Sequence, residues 1–172
     1  MKIIPLYILC FLTSFFSSAQ TKEELNHKIA ADYMQAYGNW DFDKMKTFYA
    51  DNVHFEDPTA KEAFGQAFIF DGKDNVHNFF KGVFKDRFEN DKPPYVHFTI
   101  EKSYASGSHV IINSTFECVL PSSWFKKDSN ETILISIPFV TILYIENGLI
   151  TKHSDYGDYS KYKEQINAQI KG

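Results

Sequence analysis

Asp57 stands directly before Pro58. A residue before proline is pushed toward extended backbone, so this carboxylate is held at the end of the short strand pattern Val53-His54-Phe55-Glu56-Asp57. Near the C-terminus Thr151, His153 and Asp155 alternate with Ile150, Lys152 and Tyr156, which puts the first three on one face of a strand. Tyr33 lies on the apolar face of a helix pattern. A carboxylate, an imidazole beside a second carboxylate and a phenol are the groups that acid–base chemistry uses. Each also has a structural reading. Tyr33 can be a core tyrosine with a satisfied hydroxyl, Asp57 can cap a turn, and His153 with Asp155 can be an ion pair at a pocket mouth. His27, His54, His77, His97 and His109 show no metal-ligand spacing, and no nucleophile elbow, P-loop or dinucleotide fingerprint occurs. Neither a metal nor an organic cofactor is expected. Cys118 sits in an alternating apolar stretch and reads as a buried thiol.

These groups need elements to hold them. Thr21-Lys22-Glu23-Glu24 has the form of a capping box. Behind it Leu25, Ile29, Tyr33, Ala36, Tyr37 and Trp40 recur at helical spacing, with Gly38 as the expected left-handed stop. Asp41 can cap a second, shorter helix to about Tyr49, with Ala50-Asp51-Asn52 as the turn out of it. The stretch from Thr59 to Phe70 is loop-like yet rich in Phe, and it is expected to fold over something apolar. A third helix starts near Asp71-Gly72 and turns Val76, Phe79, Phe80, Val83, Phe84 and Phe88 inward.

Two hairpins follow. Tyr95–Ala105 turns at Ser106-Gly107 into His109–Leu120, and Ile133–Ile145 turns at Asn147-Gly148 into Leu149–Asp158. Pro138 within the third long strand suggests a bulge or a sheet edge. Tyr159 to Lys171 reads as a frayed terminal helix. Helices first and a meander afterwards predict one α+β domain over residues 20–172. In it a curved, cone-shaped antiparallel sheet wraps around the N-terminal helices and encloses a pocket, mostly apolar with a few placed polar groups.

The totals agree. Of 172 residues 17% are aromatic, which suits a lined pocket and excludes a disordered chain. The net charge is −4 and Arg87 is the one arginine, so a phosphate-backbone surface for nucleic acid is excluded. Residues 1–19 have Lys2, an apolar run and then Ser17-Ser18-Ala19, the form of a secretory signal cut before Gln20. The run is short of the roughly 20 residues a membrane span needs, so an exported chain, periplasmic or secreted and without stable membrane insertion, is expected. Cys10 would leave with the signal, and Cys118 would then have no disulfide partner.

The run DYMQAYGNWDFDKMKTFYADNVHFEDP from Asp32 to Pro58 resembles the start of ketosteroid isomerase and the SnoaL-like polyketide cyclases of the nuclear transport factor 2 superfamily. The resemblance continues through Gly72, Val76 and Phe79, and returns at Gly148-Leu149-Ile150, His153 and Asp155-Tyr156. It implies that Asp57 stands in the general-base position, that Tyr33 stands in the oxyanion-donor position, and that the His153 face points inward. At the isomerase's second oxyanion donor, a protonated aspartate, the comparison puts Val140, which cannot donate. Arg87 falls among charged residues rather than in an epoxide-hydrolase-like Asp–Arg–Asp set, and Tyr33, Tyr49, His153 and Asp155 echo scytalone dehydratase in residue type.

The expected site is therefore Asp57, Tyr33, His153 and Asp155. Its lining is Tyr37, Trp40, Phe55, Phe79, Val140 and Ile142, with Val140, Ile142 and Tyr144 facing the helices. The expected function is binding of a small apolar molecule, with or without proton transfer. A non-catalytic carrier or a dimeric interaction module is the alternative. A homodimer through the long strands is expected, since an open sheet leaves a broad face to cover.

Overall fold

The computed structural model describes residues 21–85, 95–127 and 129–170. The segment 1–19 and Arg87 lie outside the described residues, as does Phe88. The described chain opens with the helices α1 (Lys22–Gly38) and α2 (Phe42–Phe48), and the single turn α3 (Lys61–Phe64) comes later. Strands β1 (Tyr49–Asp57) and β2 (Phe68–Asp71) flank α3, and α4 (Lys73–Lys85) follows them. The long strands are β3 (Val96–Ser106), β4 (His109–Pro121), β5 (Thr132–Glu146) and β6 (Leu149–Gly157), and α5 (Tyr159–Ile170) ends the described chain. The sheet order is β2-β1-β6-β5-β4-β3. The expected α+β class and curved, unclosed sheet are both present. Every join is antiparallel except one, since β1 runs parallel to β6.

Helix α1 begins as its residues dictate. Thr21 accepts from the Glu24 amide and Glu24 reaches back to the Thr21 amide, which satisfies two of the donors a helix start leaves open. Its buried side is Asn26, Ala30, Tyr33, Met34 and Ala36, so Leu25, expected inward, is 44% exposed instead. Asn26 replaces it because its side chain donates to the Gly107 carbonyl at the β3–β4 turn. The left-handed residue that reverses the chain is Trp40 (φ 54), not Gly38. Asp41 does cap α2, accepting from the Lys44 amide at 2.9 Å. The residues after α2 leave no turn: Ala50, Asp51 and Asn52 already belong to β1, where the pairing to β6 is irregular between Tyr49 and His54.

In β5 the buried residues are Ile133, Ile135, Ile137, Phe139, Thr141, Leu143 and Ile145. Val140, Ile142 and Tyr144, expected toward the helices, point to the other face. Pairing fixes the register: Thr141 lies opposite Asp155 and Leu143 opposite His153, and cross-strand partners share a face. Alternation could not decide it, because both faces of β5 are largely apolar.

Pro138 is on an interior strand, not an edge. Its carbonyl accepts from the Asp158 amide, so its nitrogen faces the same side, just past the last β6 pair Phe139–Gly157. A residue without an N–H costs no ladder bond there. Beyond that point α5 takes over from β6. Gln165 accepts from the Ser136 amide and donates to its carbonyl, at 2.8 and 2.7 Å, and Gln169 does the same for Leu134, at 3.0 and 2.8 Å. Two side-chain amides four residues apart thus act as the missing strand. The C-terminal segment is a docked helix, not a frayed one.

Candidate functional site

A cavity of about 140 Å³, partly open to solvent, lies between α1, α4, α5 and the inner face of β4, β5 and β6. An apolar cavity of about 150 Å³ accommodates a benzene ring, so the enclosed part here suits a single ring. Aromatic side chains supply most of the wall. Tyr37, Trp40, Phe55 and Phe79 line it as expected, while Val140 and Ile142 do not. The Thr59–Phe70 stretch closes over it through Phe64 and Phe68. Among the described residues the charged groups on the wall are two carboxylates, Asp57 and Asp155.

Asp57 is 3% exposed at the end of β1. Its Oδ1 accepts from the Thr59 amide, the Thr59 hydroxyl and the Ala60 amide, capping the short 3-10 turn Pro58–Ala60. The capping reading is therefore correct for one oxygen. The other, Oδ2, accepts from the Tyr159 hydroxyl at 2.6 Å. Burial raises the Asp57 pKa, the Tyr159 and Thr59 hydrogen bonds oppose the rise, and the nearby Asp155 charge adds to it.

Asp155 is 1% exposed. Its Oδ1 accepts from Thr141 at 2.7 Å and its Oδ2 from Tyr37 at 3.0 Å. Behind it, His153 is fully buried with Nε2 2.9 Å from Asp155 Oδ1, within ion-pair range but off the line a hydrogen bond requires. His153 Nδ1 faces Tyr33 at 2.9 Å and Tyr49 at 3.1 Å, and the two phenol oxygens are 2.5 Å apart. One phenol donating to the other, and that one to Nδ1, uses both hydroxyl protons and leaves the ring proton on Nε2, toward Asp155. With the proton on Nδ1, one phenol proton has no acceptor in this cluster. Burial pushes the pKa values of Tyr33, Tyr37, Tyr49 and Tyr159 well above the ordinary tyrosine value, so all four remain protonated donors.

The four expected site residues thus divide into two groups. Asp57 and Asp155 face the cavity. Tyr33 and His153 stand behind Asp155, and Tyr33 makes no bond to Asp57. The donor to Asp57 Oδ2 is Tyr159, on the segment expected as a frayed terminal helix. Its signal is the tyrosine pair Tyr159 and Tyr162, three apart on one helix side, both lining the cavity. Cys118 also lines it, and burial pushes its thiol up to about 12, so it is no thiolate nucleophile at neutral pH.

The model of the SnoaL-like domain matches residues 30–153, most of the chain, from the middle of α1 to the middle of β6, with α5 beyond the match. The chain belongs to the SnoaL-like domain family. Among solved structures, the SnoaL-like chain is similar to a candidate SnoaL-like polyketide cyclase from Shewanella putrefaciens CN-32, at 25% identity and a TM-score of 0.67, covering 83% of this chain and 96% of that one. It shares its fold with a candidate ketosteroid isomerase from Kribbella flavida, at 15% identity and a TM-score of 0.56, over 81% and 82% of the two chains. The same holds for an LEH-like epoxide hydrolase from M. tuberculosis, at 13% identity and a TM-score of 0.64, over 87% and 95%. No curated protein matches the sequence.

Proposed function

We propose that this exported SnoaL-like domain binds a small, mainly apolar molecule in the cavity and that the two cavity carboxylates move a proton on it. The observation that carries this reading is the placement of Asp57 and Asp155 on an otherwise apolar, aromatic wall, each holding a tyrosine hydroxyl. A carboxylate kept from water, with its pKa raised as that of Asp57 is, is a stronger base than one in solution. Tyr37 and Tyr159 steady the carboxylates, and His153 orients Asp155 from behind. The named relatives include a candidate cyclase, a candidate isomerase and an epoxide hydrolase, and acid–base groups in a pocket are what those activities share.

A carrier without chemistry is the second reading, favoured by the three donors on Asp57 Oδ1, which give that residue a structural duty of its own. Native mass spectrometry of the purified protein tests binding by the presence of a retained small molecule. Incubating that molecule in D2O with the protein then separates the two readings. Deuterium uptake with wild type and none with Asp57→Asn or Asp155→Asn supports proton transfer. Binding without uptake in wild type supports the carrier.

A further inference from the structure

We infer that the molecule this cavity takes is a small amine, with its ammonium group at the Asp57–Asp155 end and its apolar body against the aromatic wall. The inference rests on the reading that the cavity binds a small molecule, and it adds the ligand's charge and hydrogen-bonding sense.

Hydrogen-bond accounting at the acidic end carries it. A carboxylate oxygen has two acceptor sites. Asp57 Oδ2 accepts one bond, from Tyr159, and Asp155 Oδ2 accepts one, from Tyr37. Each oxygen keeps an acceptor site. The hydroxyls of Tyr37, Tyr159 and Thr141 spend their protons on these same carboxylates. A ketone or carboxylate ligand, which brings only acceptors, would have to break those bonds to be received there. A ligand bringing N–H donors completes the set without breaking any.

Charge points the same way. Among the described residues no lysine, arginine or histidine lines the cavity, and the imidazole nearest Asp155 sits behind it. Two buried carboxylates therefore share a wall with no cation among the described residues on the cavity side. Each carboxylate has hydrogen-bond donors but faces no counter-ion across the described wall, so a cationic ligand is stabilised there and an anionic one repelled. The rings of Tyr37, Phe55 and Phe80 lie 4.9 to 6.1 Å from the His153 ring beside Asp155, and aromatic faces attract ammonium groups.

The two tryptophans of the chain, Trp40 and Trp124, both line the cavity, so intrinsic emission reports on its occupancy. Three probes of one shape but different charge decide the matter at pH 7: benzylamine, benzyl alcohol and benzoate. Benzylamine is expected to bind wild type about tenfold or more tighter than benzyl alcohol, with benzoate weakest. Asp155→Asn should shrink the gap between amine and alcohol. Equal binding of amine and alcohol, or tighter benzoate, overturns the amine inference and leaves the cavity reading standing. Saturation by none of the three overturns both. The wild-type comparison decides even if the variant fails to fold.

Discussion

Asp57 serves two structures with its two oxygens, and this division governs what its replacement does. Asparagine at position 57 can still accept at one atom for the turn, but it presents an amide where Tyr159 donates. A loss of about 1 kcal/mol in stability is expected at neutral pH. Its pH dependence is more diagnostic. Burial raises the folded pKa above the unfolded value of about 3.9, so the native state holds the proton to higher pH than the unfolded chain. The contribution of this group to stability is then full below the unfolded value and is lost as pH rises through the folded one, opposite to a salt-bridged carboxylate. Asp57→Asn should flatten that limb of the stability curve in urea titrations as pH rises above about 4. A steeper decline in the variant would contradict the raised pKa. Gly157 is a second sensitive position. A Cβ there would stand 2.9 Å from the Tyr159 ring and 3.2 Å from Phe139. Gly157→Ala should push Tyr159 off Asp57 and lower that carboxylate's population of the hydrogen-bonded state, seen as a shifted Tyr159 ring resonance by NMR. An unchanged ring environment would refute it. The sequence pointed to Asp57 through Pro58 and to the His153–Asp155 face through alternation. It could not show that Tyr33 serves His153 rather than Asp57, because that depends on how α1 sits against the sheet.

Most elements were legible because their signals are local: the capping box before α1, the Asp41 cap, the spacing of Val76, Phe79 and Phe80 in α4, and the two hairpin turns. Strand β5 was misread by one residue because Val140 and Ile142 are as apolar as the inward residues, and only pairing to β6 fixes the face. Helix α5 was undervalued because its support is a long-range contact that periodicity does not reveal. Gln165 and Gln169 replace a β-strand along Ser136 and Leu134. Replacing both with Ala leaves backbone groups of β5 in want of partners and should cost about 1 kcal/mol for each glutamine lost. Amide exchange at residues 134 and 136 should accelerate with it. If both amides keep wild-type protection, the helix is held by apolar packing alone. Because α5 also brings Tyr159 to Asp57, the double variant should loosen the acidic end of the cavity as well.

At the scale of the whole molecule, the corrected register moves Val140, Ile142 and Tyr144 to the outer face of the sheet. There Tyr104, Ile111, Ile142 and Ser154 are successive neighbours across β3, β4, β5 and β6. Tyr104 and Ile111 are exposed, at 54% and 40%. We propose that a second copy covers this row, as an apolar strip on an open sheet would favour. Sedimentation at micromolar concentration should give a dimer, and Ile111→Asp should give a monomer with its fold intact. A wild-type monomer would rule the assembly out. The inner face supports the central claim, a largely apolar single-ring cavity with two carboxylates at its end. A titration with toluene tests that claim most directly, read by emission from Trp40 and Trp124, in wild type and in Cys118→Phe, whose added ring would fill the space. Saturable binding to wild type and none to Cys118→Phe is expected, with the variant still melting cooperatively. No saturation in wild type, or the same saturation in both proteins, would contradict it.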